Sequence, residues 1–172
     1  MIDKRFLSIE RATGILLVLG FVANLAGVLM FFIRGGVQGG APPSPAYFIW
    51  ERSFLLAAVV LTVIGLMLLE GHLQNTAGRV LARMGATAYF FGGVLVVAAE
   101  ALDLNPGQNN TYALIAIYVV LALLAQAIMG GALLQAGLLP AWIGWATLIW
   151  NIAWLVVLPV TSSHDIYYPI LH

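Results

Sequence analysis

Apolar residues run through this chain in long uncharged stretches broken by short polar punctuation. Several reach the roughly 20 residues that a helix needs to cross a hydrocarbon core about 30 Å thick. Spanning strands would instead show segments of about 10 residues alternating in polarity, and none occurs. The pattern predicts an all-α, polytopic integral membrane bundle of five transmembrane helices. Their expected extents are about 9–33, 46–72, 80–102, 111–136 and 140–160.

The breaks carry their own signals. The stretch RGGVQGGAPPSP should end the first helix, because glycine and proline both disfavour helix continuation. DLNPGQNN reads as a strong turn between the third and fourth helices, and GLLP as a tight connection before the fifth, with Pro140 suited to a first helical turn. The start of the third helix, after LQNTAGRVLARMG, also allows a short amphipathic surface turn. The first apolar run, 12–33, exceeds the 7–15 residues of a signal-peptide core and no small-residue cleavage site follows, so it should remain as a helix. The tail 161–172 is too short to cross again. Residues 1–172 thus read as a single transmembrane domain, and the odd number of spans argues against a simple inverted repeat.

Composition sharpens this picture. Hydrophobic residues make up 62% of the chain and charged ones 8%, against roughly 25% charged in an average soluble domain. Five of the seven basic residues, Lys4, Arg5, Arg11, Arg79 and Arg83, share one side of the layout, with Arg34 and Arg52 on the other. Basic residues favour cytoplasmic loops, which predicts an N-inside, C-outside orientation in a bacterial cytoplasmic membrane. With zero net charge the sequence shows no basic patch of the kind that binds nucleic acid or anionic lipid, and nucleic acid is not an expected partner. The absence of cysteine excludes disulfides, thiolate nucleophiles and cysteine-ligated metal clusters.

The remaining polar residues fall at two depths. On the outer side, Glu51 and Arg52 open the second helix, Glu100 and Asp103 close the third, and His164 and Asp165 follow the fifth. Adjacent helical residues do not face each other, so Glu51 and Arg52 each require a partner elsewhere, and Glu100 is the first candidate for Arg52. These outer groups are expected to sit at headgroup level in water, where an ion pair contributes only about 0–1 kcal/mol; alternatively the preceding AYFIW lifts the helix start by about 7 Å at 1.5 Å per residue, sinking Glu51 and Arg52 below the surface. A buried Glu51 beside His164, lacking a base to pair with, would then be the best candidate for chemistry.

Near mid-membrane stand Asn24, Thr62, Gln126 and Asn151, one in each of the first, second, fourth and fifth helices, opposite Gly92 and Gly93 of the third. Amides in hydrocarbon must find hydrogen-bond partners, so these side chains should face the bundle interior. They serve either as interhelical glue or as the polar groups of a pocket for a small neutral or lipid-like ligand. Gly20, Ala23, Gly27, Gly92, Gly93, Gly130 and Gly131 either wall that pocket or, as small residues at helical spacing, let helices pack closely. Tyr47, Trp50, Trp142 and Trp145 fit interfacial anchors. Trp150 and Trp154, one turn apart, fit packing against a neighbour.

No nucleophile elbow, phosphate loop, HExxH motif or Ser/His/Asp set is present, and no histidine lies at the centre of a span. His72 and Glu70 would sit at the inner edge, His72 able to act as a shallow ligand and Glu70 solvated or snorkelling, and NNT at 109–111 reads as part of a turn. No cofactor and no metal is expected. The leading expectation is a non-catalytic structural or accessory subunit that packs against other membrane proteins or itself. The alternative is a small carrier or binding protein for a neutral or lipid-like ligand, or for protons, using the midplane amides and the outer acids.

Overall fold

A computed structural model describes residues 8–38, 44–103 and 112–161. Five helices follow in order: α1 Ile9–Gln38, α2 Pro45–Leu73, α3 Arg79–Asp103, α4 Tyr112–Ala136 and α5 Ala141–Thr161. Each contains a span long and apolar enough to cross a membrane, and there is no strand among the described residues. The chain is an integral, multi-pass membrane protein.

Local chemistry sets the helix ends. Ser8 caps α1, its hydroxyl accepting from the Arg11 N–H at 3.3 Å. Ser44 caps α2 in the same way, accepting from the Tyr47 N–H at 3.1 Å, and Pro45 occupies the first turn, where no intrahelical donor is required. Gly137 adopts φ +63° and its N–H returns to the Leu133 carbonyl, the left-handed cap that lets α4 stop. Pro140 precedes α5. In the turn between α2 and α3, Thr76 donates to the Leu73 carbonyl and accepts from the Gly78 N–H. The third helix therefore starts at Arg79 without a separate surface turn.

One boundary differs from expectation: α1 continues through Gly35 and Gly36 to Gln38. Glycine costs a helix only about 1 kcal/mol relative to alanine and keeps its N–H donor, whereas proline removes that donor.

The helices pack in chain order, each antiparallel to the next. Contacts are dense between α1 and α2, between α3 and α4, and between α4 and α5, and sparser between α2 and α3. α4 is the most enclosed, with Val119, Ala122, Leu123 and Ala125 fully buried. Small residues mark the closest approaches. A β-carbon at Gly130 would stand 2.7 Å from the Leu148 backbone nitrogen, and one at Gly20 would stand 2.9 Å from the Thr62 hydroxyl. Gly27 and Gly65 play the same part between α1 and α2, against Leu55 and Leu17. The outward faces carry large apolar side chains such as Phe21, Val18, Phe91, Trp150 and Val156, as a lipid-facing surface requires.

Two ends can be distinguished. The near end holds the start of α1 and the turns α2–α3 and α4–α5. The far end holds the start of α2, the end of α3 and the start of α4.

Candidate functional site

All five helices contribute to one cavity of about 240 Å³ between mid-span and the near end. Asn24 of α1, Thr62 of α2 and Gln126 of α4 line it together, with Thr147 of α5. Two tyrosines complete its polar wall. Tyr89 of α3 is 2% exposed and Tyr118 of α4 is 5% exposed, and side-chain hydrogen bonds join Tyr89 to both Tyr118 and Thr62. The rest of the lining is apolar, including Leu17, Phe21, Leu66, Met129 and Leu133. Among the described residues no charged side chain borders it.

The helices around the cavity pack unequally. α1 borders it opposite α4 and α5, yet makes no substantial contact with either. α1 packs on α2 and α5 packs on α4, while the α2–α3 seam between these two groups is sparser. Phe21 of α1 and Thr147 of α5 both line the space.

Not every midplane residue joins. Asn151 is 2% exposed but points along α5, its amide donating to the Thr147 carbonyl at 2.7 Å, and it does not line the cavity. Among the described residues its Oδ1 has no hydrogen-bond partner. The Thr147 hydroxyl is held by the Ile143 carbonyl at 2.9 Å. Of the glycines and alanine expected as pocket walls, only Gly20 lines the cavity. Gly92 lies over Tyr118, and Gly93 over Val59 and Val63.

The tyrosines were not singled out by sequence reasoning, which treated tyrosine as an interfacial anchor. A signal existed: Tyr89 lies ten residues into α3, about 15 Å at 1.5 Å per residue, hence near the centre of a hydrocarbon core of about 30 Å. A phenol at that depth needs a hydrogen-bond partner.

At the far end, the acid and base of the second helix point to different neighbours. Glu51 is not solvated at headgroup level as expected: it is 0% exposed and is gripped by Arg34 of α1, with Nε to Oε2 at 3.0 Å and Nη2 to Oε1 at 3.2 Å. Arg52 donates to Glu100 of α3, the partner expected for it. Each guanidinium also lies over a phenyl ring on its own helix, Arg34 over Phe31 at 5.0 Å and Arg52 over Phe48 at 4.9 Å. Tyr47 adds a third tie, its hydroxyl donating to the Met30 carbonyl at 2.7 Å. Consecutive residues thus fasten α2 to α1 and to α3. The bidentate arginine answers the condition set for chemistry at Glu51, since the carboxylate has its base and is held as an ion pair. Asp103 ends α3, but its side chain lies outside the described residues, as do His164 and Asp165.

At the near end, Glu70 pairs with Arg83 at 3.2 Å, and His72 Nδ1 lies 3.7 Å from Glu10. Glu70, for which a solvated or snorkelling position was expected, is largely covered, at 16% side-chain exposure. Trp154 packs against the core while Trp150, in edge contact with it at 5.8 Å, faces outward. Among the described residues no group of three or more histidines and carboxylates could hold a metal ion.

No family model, no curated protein and no solved structure matches this chain.

Proposed function

We propose that this protein binds a small, neutral, lipid-soluble molecule in the cavity between its helices, as a carrier or binding protein of a bacterial cytoplasmic membrane. The observation that carries the reading is the convergence of Asn24, Thr62, Gln126 and the Tyr89–Tyr118 pair on one otherwise apolar cavity. Such a wall suits an apolar body bearing one or two hydrogen-bonding oxygens, such as an alcohol, ketone or quinone-type carbonyl. A charged ligand would meet no counter-ion there, and burying an unpaired charge is costly. At about 240 Å³ the cavity falls a little below the roughly 300–1,000 Å³ typical of drug-sized ligands, so the bound portion is small. Entry from the bilayer is between α1 and α5, which make no substantial contact with each other.

Protons are a poorer cargo, since among the described residues no carboxylate or histidine lines the cavity and both Glu51 and Glu100 are held by arginines. The accessory-subunit expectation has no observation in its favour, because exposed apolar faces are what any lipid-facing helix presents. On the proposed reading, residues 1–172 act as one membrane domain with the near end, which bears Arg11, Arg79 and Arg83, in the cytoplasm.

The test is to purify the chain in mild detergent, extract it with organic solvent and compare wild type with Gln126→Leu and Asn24→Leu by mass spectrometry. Wild type should release one small neutral species in stoichiometric amount. Losing one buried hydrogen bond should cut retention about tenfold while helicity and melting temperature hold. No bound species in wild type, or equal retention in both variants, overturns the proposal.

A further inference from the structure

A second site lies at the near end, outside the cavity. Where α2 turns into α3, a polar pocket of about 590 Å³ is lined by Glu70, Gln74, Asn75, Arg79 and Arg83. Arg83 bonds Glu70 at 3.2 Å, whereas Arg79 takes part in none of the four ion pairs among the described residues. Two guanidinium groups against one carboxylate leave the pocket with an excess positive charge. Its shape and donors suit an anion, because arginine presents paired N–H groups to phosphate oxygens.

The surface adjoining the pocket identifies the kind of anion. Arg83 and Met84 also begin an apolar groove of about 810 Å³ between α3 and α4, bordered by Thr87, Phe91, Leu121 and Leu124 and ending at Leu95. Met84 and Phe91 are more than half exposed. Met84 to Leu95 spans eleven residues, about 16 Å at 1.5 Å per residue, close to half of a hydrocarbon core of about 30 Å. The groove is one leaflet deep, and its cationic end lies at headgroup level. A free anion would use the pocket and leave the groove idle, whereas a neutral lipid would use the groove and leave the charge idle.

From this juxtaposition we infer that the α2–α3 turn and the α3/α4 groove form a binding site for an anionic phospholipid of the leaflet at the near end. Its phosphate lies against Arg79 and Arg83, and one acyl chain lies along Phe91 and Leu124. Glu70 holds Arg83 over the pocket and leaves Arg79 as the principal headgroup contact.

The test uses the full chain in mild detergent with phosphatidylglycerol and phosphatidylcholine of identical acyl chains, read by native mass spectrometry. Phosphatidylglycerol should bind as a single tight adduct and phosphatidylcholine should not. Arg79→Gln should weaken binding about fivefold, the factor that one basic residue carries beside an anionic leaflet. Arg11→Gln, at the same end but outside the pocket, should change nothing. Leu124→Trp, which fills the groove from a lipid-facing position, should also weaken the adduct while the melting temperature holds. Equal binding of the two lipids, equal effects of Arg79→Gln and Arg11→Gln, or an unchanged adduct in Leu124→Trp would overturn the inference. So would a thermal shift with inorganic phosphate as large as that with the lipid.

Discussion

Replacing Arg34 by methionine should be among the most damaging single changes on the surface of this bundle, because it strands Glu51. The carboxylate is fully buried, and both its oxygens accept from the guanidinium, at 3.0 and 3.2 Å. At an effective dielectric of about 20, two unit charges 3.0 Å apart attract by about 5–6 kcal/mol, offset in the intact protein by the cost of desolvating both. Removing only the arginine keeps the second cost without the attraction, and breaking a buried pair in this way typically destabilises by about 3–5 kcal/mol. Glu51→Gln should cost less, about 1.5–3 kcal/mol for a lost charged hydrogen bond, because Arg34 retains 15% side-chain exposure and can reach the interface. The double variant Arg34→Met with Glu51→Leu should recover much of the loss. Arg83→Met is the internal comparison: although Glu70 is largely covered, the Arg83 guanidinium is 72% exposed, so water screens the pair and its loss should cost about 1 kcal/mol, near the upper end for exposed pairs. Unfolding by sodium dodecyl sulfate in mixed micelles, followed by tryptophan fluorescence, measures all four. An Arg34→Met loss within about 1 kcal/mol of the Arg83→Met loss, against the 3–5 kcal/mol expected of a buried pair, would refute the reasoning.

The same titration tests four smaller changes. A β-carbon at Gly130 would meet the Leu148 nitrogen at 2.7 Å and the Gly144 carbonyl at 2.9 Å, so Gly130→Ala should part α4 from α5 and cost about 1–3 kcal/mol, as overpacking does. Gly71→Ala, with nothing within 4 Å, should be neutral or stabilising by up to about 1 kcal/mol through helix propensity. Asn151→Leu should be neutral or slightly stabilising, because it removes a buried acceptor that has no partner among the described residues and the Thr147 carbonyl keeps its place in the helix ladder; a large loss would mean that Oδ1 is satisfied in the membrane. Tyr47→Phe should cost about 0.6–2 kcal/mol, the range for interhelical hydrogen bonds in membranes.

Much of this architecture was legible in the sequence because bilayer thickness and helix rise dictate the length of an apolar run. Ser44, Gly137 and Pro140 fix their boundaries by local chemistry that needs no knowledge of the neighbours. Rotation of each helix about its own axis was harder to read. These helices are apolar on nearly all faces, so no polar stripe tells inside from outside. For that reason Arg34 was not matched with Glu51, although both could be placed at the far end. Asn24, Thr62 and Gln126 could be placed at one depth, but only the packing shows that they face one space and that Asn151, at the same depth, does not. Tyr89 and Tyr118 escaped notice because a phenol is counted among hydrophobic residues, and its hydroxyl becomes conspicuous only once its depth is considered. The cavity is something no single helix encodes, because its lining comes from all five helices.

The most direct measurement of whether this space is a binding site is a crystal structure grown from a lipidic mesophase, with protein taken from its own membrane without delipidation. A ligand-binding cavity predicts continuous density between α1 and α5, with a polar atom within hydrogen-bond distance of Gln126 or Asn24, and loss of that density in Gln126→Leu. An empty cavity in wild type, or one closed by Phe21 packing onto Thr147, would contradict it.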